Sequence, residues 1–270
     1  MDQMSTAPDQ LNANTTIYYD RDGYDTQGQK LMGRQAAGEG FLRGWMQYGG
    51  ANPISLWTQS LAQGDLGARQ LLDMGWLGQT QRCGGDNLEG LLQTGNLFLP
   101  GPGLGEAAWL RHWHGDQKWS LCGITHTTAS HRAMDSICGA LHAPTQPWDA
   151  LICTSKAVLS TVENLFEREA DWLKHRFGAT HMPRPQLPMI SLGVHVDDFT
   201  RDEALRHQWR NKLNIDTDTI CVLWMGRLSF HAKAIPDRFI AHLKSPRKKV
   251  GKRSVCCWQD GLPMTRNNRF

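Results

Sequence analysis

The chain has 270 residues, 40% apolar and 20% charged, with a formal net charge of +3. That length supports one large domain or two small ones with real cores, and 27 Gly with 12 Pro is an ordinary share that excludes collagen-like and low-complexity classes. Seven Cys without a CxxC pair suggest neither a disulfide framework nor a zinc ribbon, which points to a reducing compartment. The opening MDQMSTAPDQ has no apolar h-region, and no apolar run approaches the length of a membrane span, so a soluble, cytoplasmic protein with no transmembrane segment is expected.

In chain order, short apolar runs bounded by turn residues read as buried parallel strands: 16–19 (TIYY), 96–99 (NLFL), 120–124 (SLCGI), 150–153 (ALIC) and, as a fifth candidate, 188–194 (PMISLGV). Helical stretches are expected over 31–46, 130–141 and 156–177, the last keeping Val158, Val162, Leu165, Phe166, Trp172 and Leu173 near helical spacing. Strands alternating with helices predict βαβ units, an α/β class and a Rossmann-like, doubly wound parallel sheet. A helix over 202–213 leads to one more buried strand at 219–225 (TICVLWM) and then Gly226 and Arg227. Too few residues follow for a second Rossmann-like domain. The expected organisation is an N-terminal domain over 1–200, a linker helix over 201–218, the first strand of a second domain over 219–236, and a tail over 237–270.

Charge divides unevenly: residues 1–236 carry a net of −4 and residues 237–270 a net of +7. A basic end of this kind suits a nucleic-acid or anionic-membrane arm. Its apolar residues keep neither a strand nor a helix period, which favours a poorly folded tail, so no nucleic-acid partner is expected.

In doubly wound sheets ligands sit at the carboxyl ends of the strands. Those ends carry 20–28, 100–105, Thr125 and His126, Thr154 and Ser155, and 193–198, a set of hydroxyls, carboxylates and amides with one imidazole, suited to a sugar or a phosphate. His126 can hydrogen-bond a substrate hydroxyl or stabilise developing charge; a His half-buried among neighbouring hydroxyls is the bland alternative. The run from Gly33 (GRQAAGEG) places small residues at a helix start, where backbone N–H groups attract anions, although small residues also let a helix pack tightly on a sheet. Arg227 and Lys233 supply a guanidinium fork and a point charge, a match for the two phosphates of a nucleoside diphosphate. The run 101–105 (GPGLG) misses the dinucleotide-binding spacing, no phosphate-binding P-loop and no GxSxG occurs, and His112 and His114 lack a third ligand, so no metal site is expected.

The segments 18–20 (YYD), 23–26 (GYDT), 30–43 (KLMGRQAAGEGFLR), 120–130 (SLCGITHTTAS), 148–155 (WDALICTS), 193–199 (GVHVDDF) and 225–234 (MGRLSFHAKA) resemble a bacterial branch of the family 4 (group 1) glycosyltransferases. The resemblance is patchy but ordered, from about Ile17 to Ala234. It implies the N-terminal half of a GT-B fold, in which two Rossmann-like domains hold acceptor and donor. It also implies retaining transfer of a sugar from a nucleotide-sugar, a co-substrate rather than a cofactor, to a hydroxyl of a glycan or small-molecule acceptor, without a metal. By position, His126 matches a catalytic histidine beside the transferred sugar, Gly33 lines the donor phosphates, and Arg227 with Lys233 grips the diphosphate. The family's donor domain also carries two glutamates seven residues apart, whereas nothing after Ala234 fits and residues 235–270 contain no Glu. The expectation is therefore a C-terminally truncated enzyme that binds donor weakly and transfers slowly or not at all, with self-association through an exposed C-terminal strand. The alternative is a non-catalytic Rossmann-like module binding a glycan or a protein partner.

Overall fold

The computed structural model describes residues 14–27, 33–50, 53–85, 87–225 and 254–259. The chain separates into two compact units, Met1–His195 and Val196–Phe270, a division just before the expected boundary at 200.

The first unit runs β1 (Thr16–Tyr18), α1 (Arg21–Tyr24), α2 (Gly33–Tyr48), β2 (Ile54–Trp57), α3 (Leu61–Asp73), β3 (Thr80–Cys83), α4 (Glu89–Thr94), β4 (Asn96–Leu99), α5 (Leu104–His114), β5 (Ser120–Ile124), α6 (His131–Cys138), β6 (Ala150–Ile152) and α7 (Lys156–Phe177). Its six strands lie in the order β3-β2-β1-β4-β5-β6, every neighbouring pair parallel, which makes the unit an α/β, Rossmann-like doubly wound fold.

Alternation along the strands splits the core into two layers. Ile17, Tyr19, Ile54, Leu56 and Phe98 face one side, where Tyr24 of α1, Leu42 of α2 and Leu71 of α3 cover them. Leu97, Leu99, Leu121, Leu151 and Cys153 face the other, packed under Leu91 of α4, Leu104 of α5, Ile137 of α6 and Phe166 of α7. The sheet is buried on both faces, which is why its central strands read as unbroken apolar runs.

Helix ends follow local chemistry. Ser155 and Ser130 accept backbone N–H bonds from Val158 (3.2 Å) and Ala133 (3.2 Å), fixing the starts of α7 and α6. At the far end of α7, Gly178 adopts a left-handed φ of 68°, and Lys174, His175 and Arg176 occupy the last turn. α7 spans the predicted residues, α2 is displaced by two residues, and the expected 130–141 helix ends at Cys138, continuing as a 3-10 turn over Gly139–Leu141.

Two expectations need correction. β2, β3 and the helices α1, α3, α4 and α5 were not anticipated. The run 188–194 is not a strand of the sheet; the stretch 186–190, which overlaps its start, runs beside β6 through isolated bridges at Gln186 and Met189. Pro183, Pro185 and Pro188 have no N–H, so the ladder cannot continue. Bonds that survive include Leu151 N–H to Gln186 (2.8 Å), Cys153 N–H to Pro188 (2.8 Å) and Ile190 N–H to Cys153 (3.0 Å).

The second unit holds a 3-10 turn (Val196–Phe199), α8 (Glu203–Lys212) capped by Asp202, and β7 (Ile220–Met225), close to the expected helix and strand. β7 pairs in parallel with β8 (Ser254–Gln259). The tail expected to lack regular structure thus contains a strand, at SVCCWQ, where β-favouring Val255 and Trp258 cluster. Among the described residues, no helix is long and apolar enough to cross a membrane.

Candidate functional site

With this strand order the chain reverses its winding between β1 and β4. Their carboxyl-end loops leave toward opposite faces of the sheet and open a crevice between them. A cleft of about 400 Å³ lies there, floored by Leu97, Leu99 and Ala107 and lined by Tyr18, Asp20, Asp22, Arg34, Gln59 and Glu106.

Each polar side chain is set by its element. Tyr18 ends β1, and its phenol oxygen accepts a bond from Gln59 Nε2 (2.9 Å). Burial raises the Tyr18 pKa, the Gln59 bond opposes this, and the Asp20 and Glu106 charges add to it, so the phenol keeps its proton at neutral pH. Asp20 caps α1, its Oδ1 accepting from Asp22 N–H (3.2 Å). Arg34, from the first turn of α2, forms an ion pair with Asp22. Glu106 stands in the first turn of α5, where a negative charge complements the helix dipole.

His126 follows β5, half-buried, with Nδ1 buried and without a hydrogen-bond partner among the described residues. Burial lowers its pKa; the Pro100 carbonyl partly opposes this, and the Arg34 charge reinforces it. The ring is therefore neutral at pH 7, close to two residues, Pro100 and Arg34, that line the cleft. Its neighbours serve the fold: Thr125 Oγ1 donates to Ile152 (3.0 Å), and Thr154 Oγ1 donates to the Thr125 carbonyl (3.1 Å), tying the ends of β5 and β6 together. Thr125 and Thr154, expected to offer hydroxyls to a ligand, are committed to the sheet.

Gly33 opens α2, exposed, and a Cβ there would meet nothing within 4 Å. The packing demand falls on Gly38, where a Cβ would come 2.1 Å from the Gly23 carbonyl oxygen. Farther along α2, His195 Nε2 donates to the Gly40 carbonyl (3.2 Å) and Thr26 Oγ1 donates to Glu39. The small-residue run thus seats the loop after β1 and the 193–195 segment against α2.

Arg227 and Lys233 lie outside the described residues. Among the described residues no group of three or more His, Cys, Asp or Glu could hold a metal ion. His112 is instead paired with Asp116 (3.1 Å). Gln59 and Glu106 were not anticipated. The available signals were the apolar ISLW run two residues before Gln59 and the acidic residue directly after GPGLG.

Comparison with protein-family models, curated proteins and solved structures finds no match to the chain.

Proposed function

We propose that this protein is a glycosyltransferase of the family 4 type, moving a sugar from a nucleotide-sugar to an acceptor hydroxyl with retention at the anomeric carbon. The observation that carries the reading is the cleft at the β1/β4 switch of a doubly wound sheet, lined in part by Tyr18, Asp20, Gly23 and Arg34 from segments that bear the resemblance. Support also comes from the chemistry of its lining. Tyr18 receives a hydrogen bond from Gln59 and keeps its own proton to donate, the two-way bonding a sugar hydroxyl needs.

In this reading the cleft holds the acceptor. His126, neutral and partly desolvated, hydrogen-bonds a hydroxyl of the transferred sugar without adding a charge where a cationic, oxocarbenium-like centre develops. Arg227 and Lys233, by the resemblance, offset the charge that builds on the diphosphate as the glycosidic bond breaks.

The test measures the full chain against UDP, GDP and ADP and the corresponding sugars. One nucleoside diphosphate is expected to raise the Tm, Arg227→Ala to abolish that rise, and His126→Ala to suppress acceptor-dependent release of the diphosphate while leaving the rise in place. A folded chain whose Tm no nucleotide changes, and which releases no diphosphate, overturns the reading.

A further inference from the structure

Among the described residues, negative charge outweighs positive around the cleft. Asp20, Asp22 and Glu106 line it against one guanidinium, Arg34, and Arg34 is already paired with Asp22. Asp20 commits only Oδ1 to capping α1. The Glu106 carboxylate makes no hydrogen bond or ion pair among the described residues. Two carboxylates, Asp20 and Glu106, thus line the cleft together with Tyr18, and both add to the upward shift of its phenol. His126 contributes no positive charge at neutral pH. The amino end of α5, which by itself attracts anions, opens on the same cleft, and Glu106 in its first turn offsets that attraction. Leu97, Leu99 and Ala107 form a low-dielectric floor that lengthens the reach of the remaining charge.

We propose that this cleft selects an amine-bearing sugar as acceptor and turns away phosphorylated and carboxylated ones. The inference rests on the cleft being the acceptor site. An ammonium group entering it meets two carboxylates with free oxygens, whereas a phosphate meets like charge and a guanidinium that must first leave Asp22. Selection of this kind works as much by repelling the wrong ligand as by holding the right one. Both carboxylates are solvent-exposed, so the preference is modest and salt-sensitive.

The experiment titrates the full chain with glucosamine, glucose and glucose 6-phosphate at low and high salt, by calorimetry or ligand-observed NMR. Glucosamine is expected to bind about two- to fivefold more tightly than glucose at low salt, with glucose 6-phosphate weakest and the spread shrinking at high salt. Glu106→Gln and Asp20→Asn each move the glucosamine-to-glucose ratio toward one. Asn also caps helices, so the second variant keeps α1 while removing the charge. Equal binding of glucosamine and glucose, a ratio unmoved in both variants, or tightest binding of glucose 6-phosphate overturns the charge inference and leaves the acceptor reading standing. If the folded chain binds none of the three, the acceptor reading itself falls, and this inference with it.

Discussion

Arg111 of α5 and Asp149, just before β6, form a two-pronged ion pair with neither side chain reached by solvent. Arg111 Nη1 donates to Asp149 Oδ1 (2.6 Å) and to the Trp119 carbonyl (3.0 Å), and Nη2 donates to Oδ2 (2.8 Å) and to Pro144 (3.1 Å). The carboxylate also accepts from Leu121 N–H (2.8 Å) and Gln146 N–H (2.8 Å). One pair thus locks a helix to the amino ends of two strands, at the end of the sheet opposite the cleft. Arg111→Ala leaves a buried carboxylate without its cation and is expected to cost about 3–5 kcal/mol, read from urea denaturation. Adding Asp149→Leu recovers only part, because the Leu121 and Gln146 N–H groups then lose their acceptor.

Tyr24 is fully buried, stacked on Tyr19 with ring centroids 5.4 Å apart, and its hydroxyl has no partner among the described residues. The ring is valuable and the hydroxyl is a burden. Tyr24→Phe is expected to leave stability unchanged or raise it by about 1 kcal/mol. A clear fall in Tm would show that the hydroxyl has found a partner, such as an ordered water.

Two glycines of the same helix should respond oppositely. Gly38→Ala drives a methyl into the Gly23 carbonyl, a backbone atom that cannot swing aside, and is expected to cost about 1–3 kcal/mol. Gly33→Ala meets open space and restricts the unfolded chain, so it should be neutral or stabilising by up to about 1 kcal/mol. Parallel thermal melts of the two variants make the comparison.

Stability should fall at both ends of the pH range, for different reasons. Burial pushes the Tyr19 phenol up to about 12, with the Asp25 charge assisting, so the fold favours its protonated form. That contribution is intact below about pH 10 and is lost as pH rises toward 12. His126 is shifted the other way: its folded pKa lies below the usual value, so the unfolded chain takes up the proton first. Its contribution is whole above about pH 6.5 and declines as pH falls through the folded value. His126→Asn should flatten the acid limb of a stability-versus-pH curve and leave the alkaline limb alone.

Legibility in the sequence followed apolar runs bounded by turn residues rather than burial alone: β2, buried at all four residues, carries Ser55 within its run and goes unmarked. β4, β5 and β6 lie in the interior half of the sheet or against the strap beside it, and their unbroken apolar runs marked them. β3 (TQRC) is an edge strand with one buried residue, Cys83, and carries no such signal. α3 and α5 were hidden by glycines: Gly64 and Gly67 in α3 pack against neighbouring side chains, and Gly103 with Gly105 made the start of α5 read as loop. The gap carried into the site. Asp20 and Pro100 follow strands that the sequence marks, and Arg34 lies in the small-residue run from Gly33, whereas Gln59 follows β2 and Glu106 stands in the first turn of α5, two elements the sequence does not mark. Within the small-residue run of α2, the position that packing requires to lack a side chain is Gly38, while Gly33 faces open space.

The proline-bearing strap beside β6 has a consequence for how copies of this protein meet. An open parallel sheet offers two rims on which a foreign strand can template. Here one rim is occupied by a segment whose prolines cannot hand the ladder on, and the other, β3, presents Arg82 held by Asp65. Addition of a foreign strand is thus discouraged at both margins of the six-stranded sheet.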